Sequence, residues 1–207
     1  MIAPTATRGK MGRPRAFNQG AALEAAMRVF WEKGYEGATL ADLTDAMGIN
    51  RSSMYASFGD KEALFRMSGA RYAEGPAAYV RKALDRPAAR AVVEALLRGT
   101  VDLLSDPSHP RGCFFVQGVL ACGSTAEPVK QAMIAWRKQA ESGLRKRLQR
   151  ARREGDLPKT VNPSGLARYI SALTAGLGVQ AANGATRAEL ARVVDLALRC
   201  MPFQAGS

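Results

Sequence analysis

The chain has 207 residues, 47% of them hydrophobic and 23% charged, with a net charge of +12. That length suits one large core or a small head on a larger body, and no stretch approaches the ~20 apolar residues that a membrane span needs. A single histidine rules out a multi-histidine metal site, three cysteines do not make a disulfide framework, and no cofactor is expected.

Residues 1–17 hold Arg8, Lys10, Arg13 and Arg15 with no acid and few core-forming side chains, so a flexible basic arm is expected there. They also lack the apolar run of a signal peptide, which points to a soluble cytoplasmic protein with no membrane partner. Asn18 can cap a first helix to Lys33, in which Leu23, Ala26, Met27 and Phe30 recur at helical spacing and Gly34 supplies a left-handed end. Thr39 caps a second helix, with Asp42 as the reciprocal partner of a capping box and Leu40, Leu43 and Met47 as the inner face; Gly48 ends it. Asn50 caps a third helix to Ser57, with Ile49 and Met54 facing inward. Two short helices around a Gly, the second showing hydroxyls and an Arg outward, form the pattern of a helix-turn-helix, which sets one helix into the major groove of DNA.

Asp60 caps a fourth helix through Leu64, Phe65, Met67 and Ala70, and Pro76 breaks it, because a mid-helix proline costs ~3 kcal/mol. Further helices are predicted over 87–104, 113–121, 128–154, 163–182 and 185–200, with Pro, Gly and Asp marking the loops between. The fold class is therefore all-α. An arm at residues 1–17 precedes a three-helix DNA-binding head at 18–67 and a larger helical body at 68–207.

The head resembles that of the TetR family of bacterial transcriptional regulators. The resemblance rests on Gly12-Arg13-Pro14-Arg15, Phe30-Trp31-Glu32-Lys33-Gly34-Tyr35, Thr39-Leu40-Ala41-Asp42-Leu43, Gly48-Ile49-Asn50-Arg51-Ser52-Ser53-Met54-Tyr55 and Phe58-Gly59-Asp60-Lys61-Glu62-Ala63-Leu64. It implies a homodimer on double-stranded DNA with a palindromic operator, a body holding an effector pocket, and release of DNA when the pocket fills. Repression is the family's commoner mode.

In the third helix, Arg51, Ser52, Ser53, Tyr55 and Ser57 are left to face the groove. Arg51 suits either bidentate readout of guanine or a phosphate contact. The resemblance places Tyr55 on a backbone phosphate, with packing against the second helix as its structural alternative. Thr39 and Lys61 sit at helix N-termini, where free amides and the dipole favour an anion, and the family clamps phosphates there. Arg13 and Arg15, flanking Pro14, suit a narrow minor groove or the neighbouring backbone, if they are not simply a solvated tail.

In the body, Leu166, Ile170, Leu173 and Leu177 share one face of a helix, and Leu190, Val193, Val194 and Ala197 share one face of the next. The family builds its dimer interface from such a pair, although burial within one subunit would give the same stripe. Met67, Tyr72, Tyr79, Phe114, Phe115, Met133 and Trp136 are candidates to line an effector pocket, each also a plausible core residue, and together they suit a small apolar or aromatic molecule. Cys113 follows Arg111-Gly112 at a predicted helix start, where the dipole favours a thiolate, and resembles the cysteine of an electrophile- or oxidant-responsive branch; an inert thiol is the alternative. Release by thiol modification is therefore a second possible trigger. Cys122, nine residues on, falls on the opposite helix face from Cys113.

Nine Lys or Arg against Glu141 alone over residues 130–153 form either a solvated helix face or a second nucleic-acid surface. An enzyme is not expected, because the sole histidine, His109, lies in a Ser-His-Pro loop and no Gly-rich nucleotide turn follows a strand. An architectural DNA-binding protein without effector is the remaining alternative, and it would not need so many aromatics in the middle of its body.

Overall fold

The computed structural model describes residues 17–120 and 126–203, and among these every regular element is helical. Three helices make the head: α1 (Gln19–Gly37), α2 (Leu40–Met47) and α3 (Arg51–Phe58). The capping residues fix their ends. Asn18 accepts from the Ala21 amide, Asn50 from Ser53 and Asp60 from Ala63, so each helix start has a side-chain acceptor for one orphan amide. The Thr39–Asp42 capping box is complete. Inside α1, Gly34 takes φ 70° and ψ 177°, so the regular helix stops there as its sequence predicts, and the last turn to Gly37 follows a kink.

α4 (Lys61–Glu74) leads into the body and stops before Pro76. The chain then forms a 3₁₀ turn (Pro76–Ala78) and a short helix, α5 (Tyr79–Leu84), which periodicity does not reveal because six residues are too few to show it. α6 (Ala89–Ser105), α7 (Phe114–Leu120), α8 (Glu127–Arg153), α9 (Pro163–Ala182) and α10 (Arg187–Cys200) complete the body. The predicted last helix starts two residues late, at a second capping box in which Thr186 and Glu189 exchange bonds.

Two cores result. The body core gathers Val92, Val93, Leu97, Leu144, Leu148, Leu166, Ile170, Leu177, Leu190 and Val194 from α6, α8, α9 and α10. The head core, built on Met27, Phe30, Trp31, Leu43, Met54 and Phe65, does not stop at the head. It continues through Tyr72 into Leu103, Phe114, Val129 and Met133 of α6, α7 and α8.

Candidate DNA-reading face and body cavity

Met54 and Phe58 anchor α3 in the head core, with Ile49 packed beside them, and this fixes which side faces out. Arg51, Ser52 and Tyr55 are exposed, Tyr55 to 47%, so the packing alternative for this ring does not hold. Ser53 and Ser57 flank this strip half-buried. The Ser52 hydroxyl donates to Asn50 Oδ1 at 2.8 Å, so it is tied to the cap of its own helix. Among the described residues Arg51 has no hydrogen-bond or ion-pair partner, so no side chain or carbonyl there uses its guanidinium donors.

The two N-terminal positions differ from a bare anion site. Thr39 spends its hydroxyl proton on Asp42 at 2.8 Å and its amide on the same carboxylate at 2.9 Å. Lys33 donates to the other carboxylate oxygen at 2.6 Å, and this bond, with those from Thr39, holds the Asp42 carboxyl far below the ordinary carboxylate range. A carboxyl with a depressed pKa contributes its stability above the ordinary range and loses it only as the pH falls through the lowered value, so the box stays intact across neutral and mildly acidic conditions. Any phosphate at this end must therefore use the Leu40 and Ala41 amides beside Thr39. Lys61 lies with Nζ 4.5 Å from the centre of the Tyr35 ring, a cation–π contact, and partial burial lowers its pKa. Arg13 and Arg15 lie outside the described residues.

Head and body meet at Trp31. Its indole is fully buried and Nε1 donates to the Gly112 carbonyl at 2.9 Å, on the loop before α7. The ring stacks on His109 with centroids 5.2 Å apart, and it meets Tyr72 of α4 nearly at right angles with centroids 4.8 Å apart. Nearby, Arg28 donates to the Ser108 carbonyl at 2.7 Å and Arg71 pairs with Glu24 at 3.0 Å. Tyr72 in turn stacks on Phe114 and meets Phe115 edge-on, and Phe115 packs on Trp136. The sole histidine, which sequence reading leaves idle in a loop, is thus part of the joint.

A cavity of about 490 Å³ is lined in part by that aromatic chain, and it is within the size range of small-molecule sites. Four of the seven pocket candidates, Tyr72, Tyr79, Phe115 and Trp136, line it together with Cys113, while three do not reach it and are corrected. Phe114 and Met133 are buried in the head core, and Met67 points to solvent on the exposed side of α4. Periodicity marks a residue as apolar or as facing inward, but not which of two adjoining cores it enters. Sequence reading missed Leu96, Thr100, Arg81, Arg137 and Ile170, which come from α5, α6, α8 and α9 and converge only in the folded chain.

The Tyr72 hydroxyl donates to Cys113 Sγ at 3.6 Å. Tyr79 and Thr100 hydroxyls lie 3.0 Å apart, and because Thr100 donates to the Leu96 carbonyl, Tyr79 is the donor in that pair. Burial first of all pushes both phenols above their ordinary pKa, so both keep their protons at neutral pH. Cys113 is half-buried, and its carbonyl accepts from the Val116 and Gln117 amides at the start of α7. Cys122 lies outside the described residues.

The dimer candidates need correction. Leu166, Ile170, Leu177, Leu190, Val194 and Ala197 are buried in the body core of their own subunit, and Leu173 is packed against it; only Val193 is exposed. The apolar stripe of each helix turns inward because one subunit already offers it α6 and α8 to cover. The outer sides of α9 and α10 carry Tyr169, Val179, Val193 and Leu196 in the open, Leu196 to 57%. Gly176 also faces open space, whereas Gly178 packs against Cys113.

The sequence matches the family model for bacterial regulatory proteins of the tetR family over residues 22–67, and that for the tetracyclin repressor-like C-terminal domain over residues 88–197. The chain belongs to the TetR family. It is similar to the HTH-type transcriptional repressor ComR of Escherichia coli (strain K12), with 27% identity over 193 residues and 92% of each chain covered. Among solved structures it is similar to a cysteine mutant of the TetR family regulator CifR complexed with 26-bp double-strand operator DNA. Identity there is 42%, the TM-score is 0.88, and the match covers 92% of this chain and all of the other. A TetR regulator from Rhodococcus sp. RHA1 shares 37% identity with a TM-score of 0.61, covering 90% of this chain and all of that one. As a TetR regulator the chain is a DNA-binding transcriptional regulator rather than an enzyme.

Two glycines shape the cavity of this TetR regulator. A Cβ on Gly69 of α4 would come within 2.3 Å of the Trp136 ring, and one on Gly99 of α6 within 2.4 Å of the Tyr79 ring. Trp136 can swing its far edge into the cavity, so Gly69→Ala is expected to fold and to shrink the space available to a ligand. Tyr79 is met near its ring base and is held by Thr100. Gly99→Ala is therefore expected to destabilise by about 1–3 kcal/mol through overpacking, read as a lower denaturation midpoint. Unchanged midpoints for Gly99→Ala would show that the Tyr79 ring is not held in place.

Proposed function

We propose that this TetR regulator represses transcription by holding a palindromic operator as a homodimer, and lets go when a small molecule fills the body cavity. The observation that carries the reading is the double role of Tyr72 on α4. This residue lines the cavity and its ring also meets Trp31 of the head, so a ligand that moves the wall also moves the joint. The likeness to CifR, whose structure holds operator DNA, supports the DNA half of the reading. The cavity argues against an architectural protein, which has no use for one. Cytoplasmic location follows from a DNA target; no helix among the described residues is long and apolar enough to cross a membrane.

The α3 face would enter the major groove with Arg51, Ser52, Ser53, Tyr55 and Ser57. The Leu40 and Ala41 amides beside the Thr39 cap, and Lys61, at the starts of α2 and α4, would approach the flanking phosphates, and Arg13 and Arg15 the adjoining groove. Selection from random duplexes with the purified protein is expected to enrich a palindrome whose half-site centres lie about one helical turn apart. No enrichment would end the reading. With Arg13, Arg15, Arg51 and Lys61 from each subunit displacing counterions, log affinity against log salt should fall with a slope of about −7, at about −0.9 per phosphate.

The dimer would form through the outer sides of α9 and α10, around Tyr169, Gly176, Val179, Val193 and Leu196. Leu196→Arg, a change on an exposed site that leaves the subunit core alone, is expected to yield folded monomer in sedimentation and to abolish operator binding. A dimer that persists would move the interface elsewhere.

Release by thiol modification has its own support, since Cys113 lies on the cavity wall with a phenol at its sulfur. An alkylating agent should then free wild-type protein from DNA and spare Cys113→Ser. Equal release of both would leave cavity filling as the sole trigger.

A further inference from the structure

The cavity interior is rich in rings and hydroxyls but has few donors to offer. Tyr72 donates to Cys113, Tyr79 to Thr100, Thr100 to the Leu96 carbonyl, and Thr174 to the Ser171 carbonyl at 3.0 Å. Around them stand Leu96, Leu103, Leu104, Phe115, Val116 and Ile170. Such a wall solvates a ring or an alkyl chain and leaves a buried charge without compensation.

Charge appears only at the rim, on Arg81 of α5 and on Arg137 and Glu141 of α8, two helices that pack together. Glu141 already accepts from Arg168 of α9 at 2.9 Å. Arg81 and Arg137 have no carboxylate partner among the described residues, and the segments outside these contain no Asp or Glu. The rim therefore presents two uncommitted guanidiniums and no uncommitted acid. Gln139 and the Ser171 hydroxyl offer a neutral molecule ordinary hydrogen bonds, but the asymmetry of charge repels a cation and favours most an acid whose tail reaches inward.

We propose that the effector is an amphipathic anion, its carboxylate or comparable acid group held at the rim by Arg81 and Arg137 and its apolar or aromatic tail lodged among Tyr72, Tyr79, Phe115 and Trp136. This rests on the effector reading above and names the ligand class for it.

Three probes of one shape test the idea on the full-length protein: phenylhexanoate, phenylhexanol and phenylhexylamine, with binding read by tryptophan fluorescence and release by operator anisotropy. The carboxylate is expected to bind at least about tenfold more tightly than the alcohol, the gain typical of a charge-assisted bond, and the amine more weakly than both. Arg81→Ala with Arg137→Ala should bring carboxylate and alcohol to within about threefold of each other, leaving the alcohol where it was; Lys82→Ala, off the rim, should change nothing. If the alcohol or amine binds as well as the carboxylate, or if the double variant keeps the preference, the anion is wrong while the cavity stands as an effector site. If no probe binds, the ligand class is wrong. If the carboxylate binds with the predicted arginine dependence yet leaves the operator occupied, the ligand class survives and the effector reading falls.

Discussion

Removing the Arg51 side chain is expected to cost operator affinity by about 1–3 kcal/mol, roughly five- to 150-fold, and to flatten the preference for specific over scrambled DNA. The size follows from the fact that this residue has no hydrogen-bond or ion-pair partner among the described residues. It stands at the start of α3 with its donors unspent, directly after the Asn50 cap, and Met54 and Phe58 prevent the helix from rolling away. Lys61→Ala should instead weaken all sequences alike, because a phosphate contact carries no sequence information. Competition binding at fixed salt separates the two. Equal losses on specific and scrambled duplex for Arg51→Ala would reassign it to the backbone.

Trp31→Ala is expected to be the most damaging single substitution for stability, at about 3–5 kcal/mol in urea denaturation. A fully buried indole would leave a void between α1, α4 and the loop before α7, and the Gly112 carbonyl would lose its donor. Trp31→Phe separates packing from coupling. It keeps much of the contact with Tyr72 and His109 but not the bond to Gly112, at a cost of about 1–3 kcal/mol for the carbonyl left unpaired. Its operator affinity without effector should hold, while the effector concentration needed for release should rise. If Trp31→Phe responds like the wild type, the joint transmits through packing alone.

The head was almost fully legible because its signals are local. Asn18, Thr39 with Asp42, Asn50 and Asp60 announce helix starts within three residues of themselves, and Gly34 and Gly48 announce ends. Chemistry that depends on what meets what was less so. The stripes Leu166–Leu177 and Leu190–Ala197 showed that α9 and α10 bury a face, and could not say against which neighbour; the answer was their own subunit. Met67 and Met133 read alike on paper, yet one faces solvent and the other sits in the head core. Arg81 and Arg137 are 56 positions apart in a chain full of arginines, and nothing marks them until α5 and α8 bring them to one rim.

The continuity of the head core with α7 and α8 has a consequence for how such a switch can fail. A head clipped off after α4 would carry Trp31, Phe65 and Tyr72 with one flank stripped of Phe114, Leu103 and Met133. Such a fragment lacks the neighbours that hold it folded, so proteolysis should destroy DNA binding rather than liberate a permanently active piece. Whatever sits on the operator carries its sensor with it.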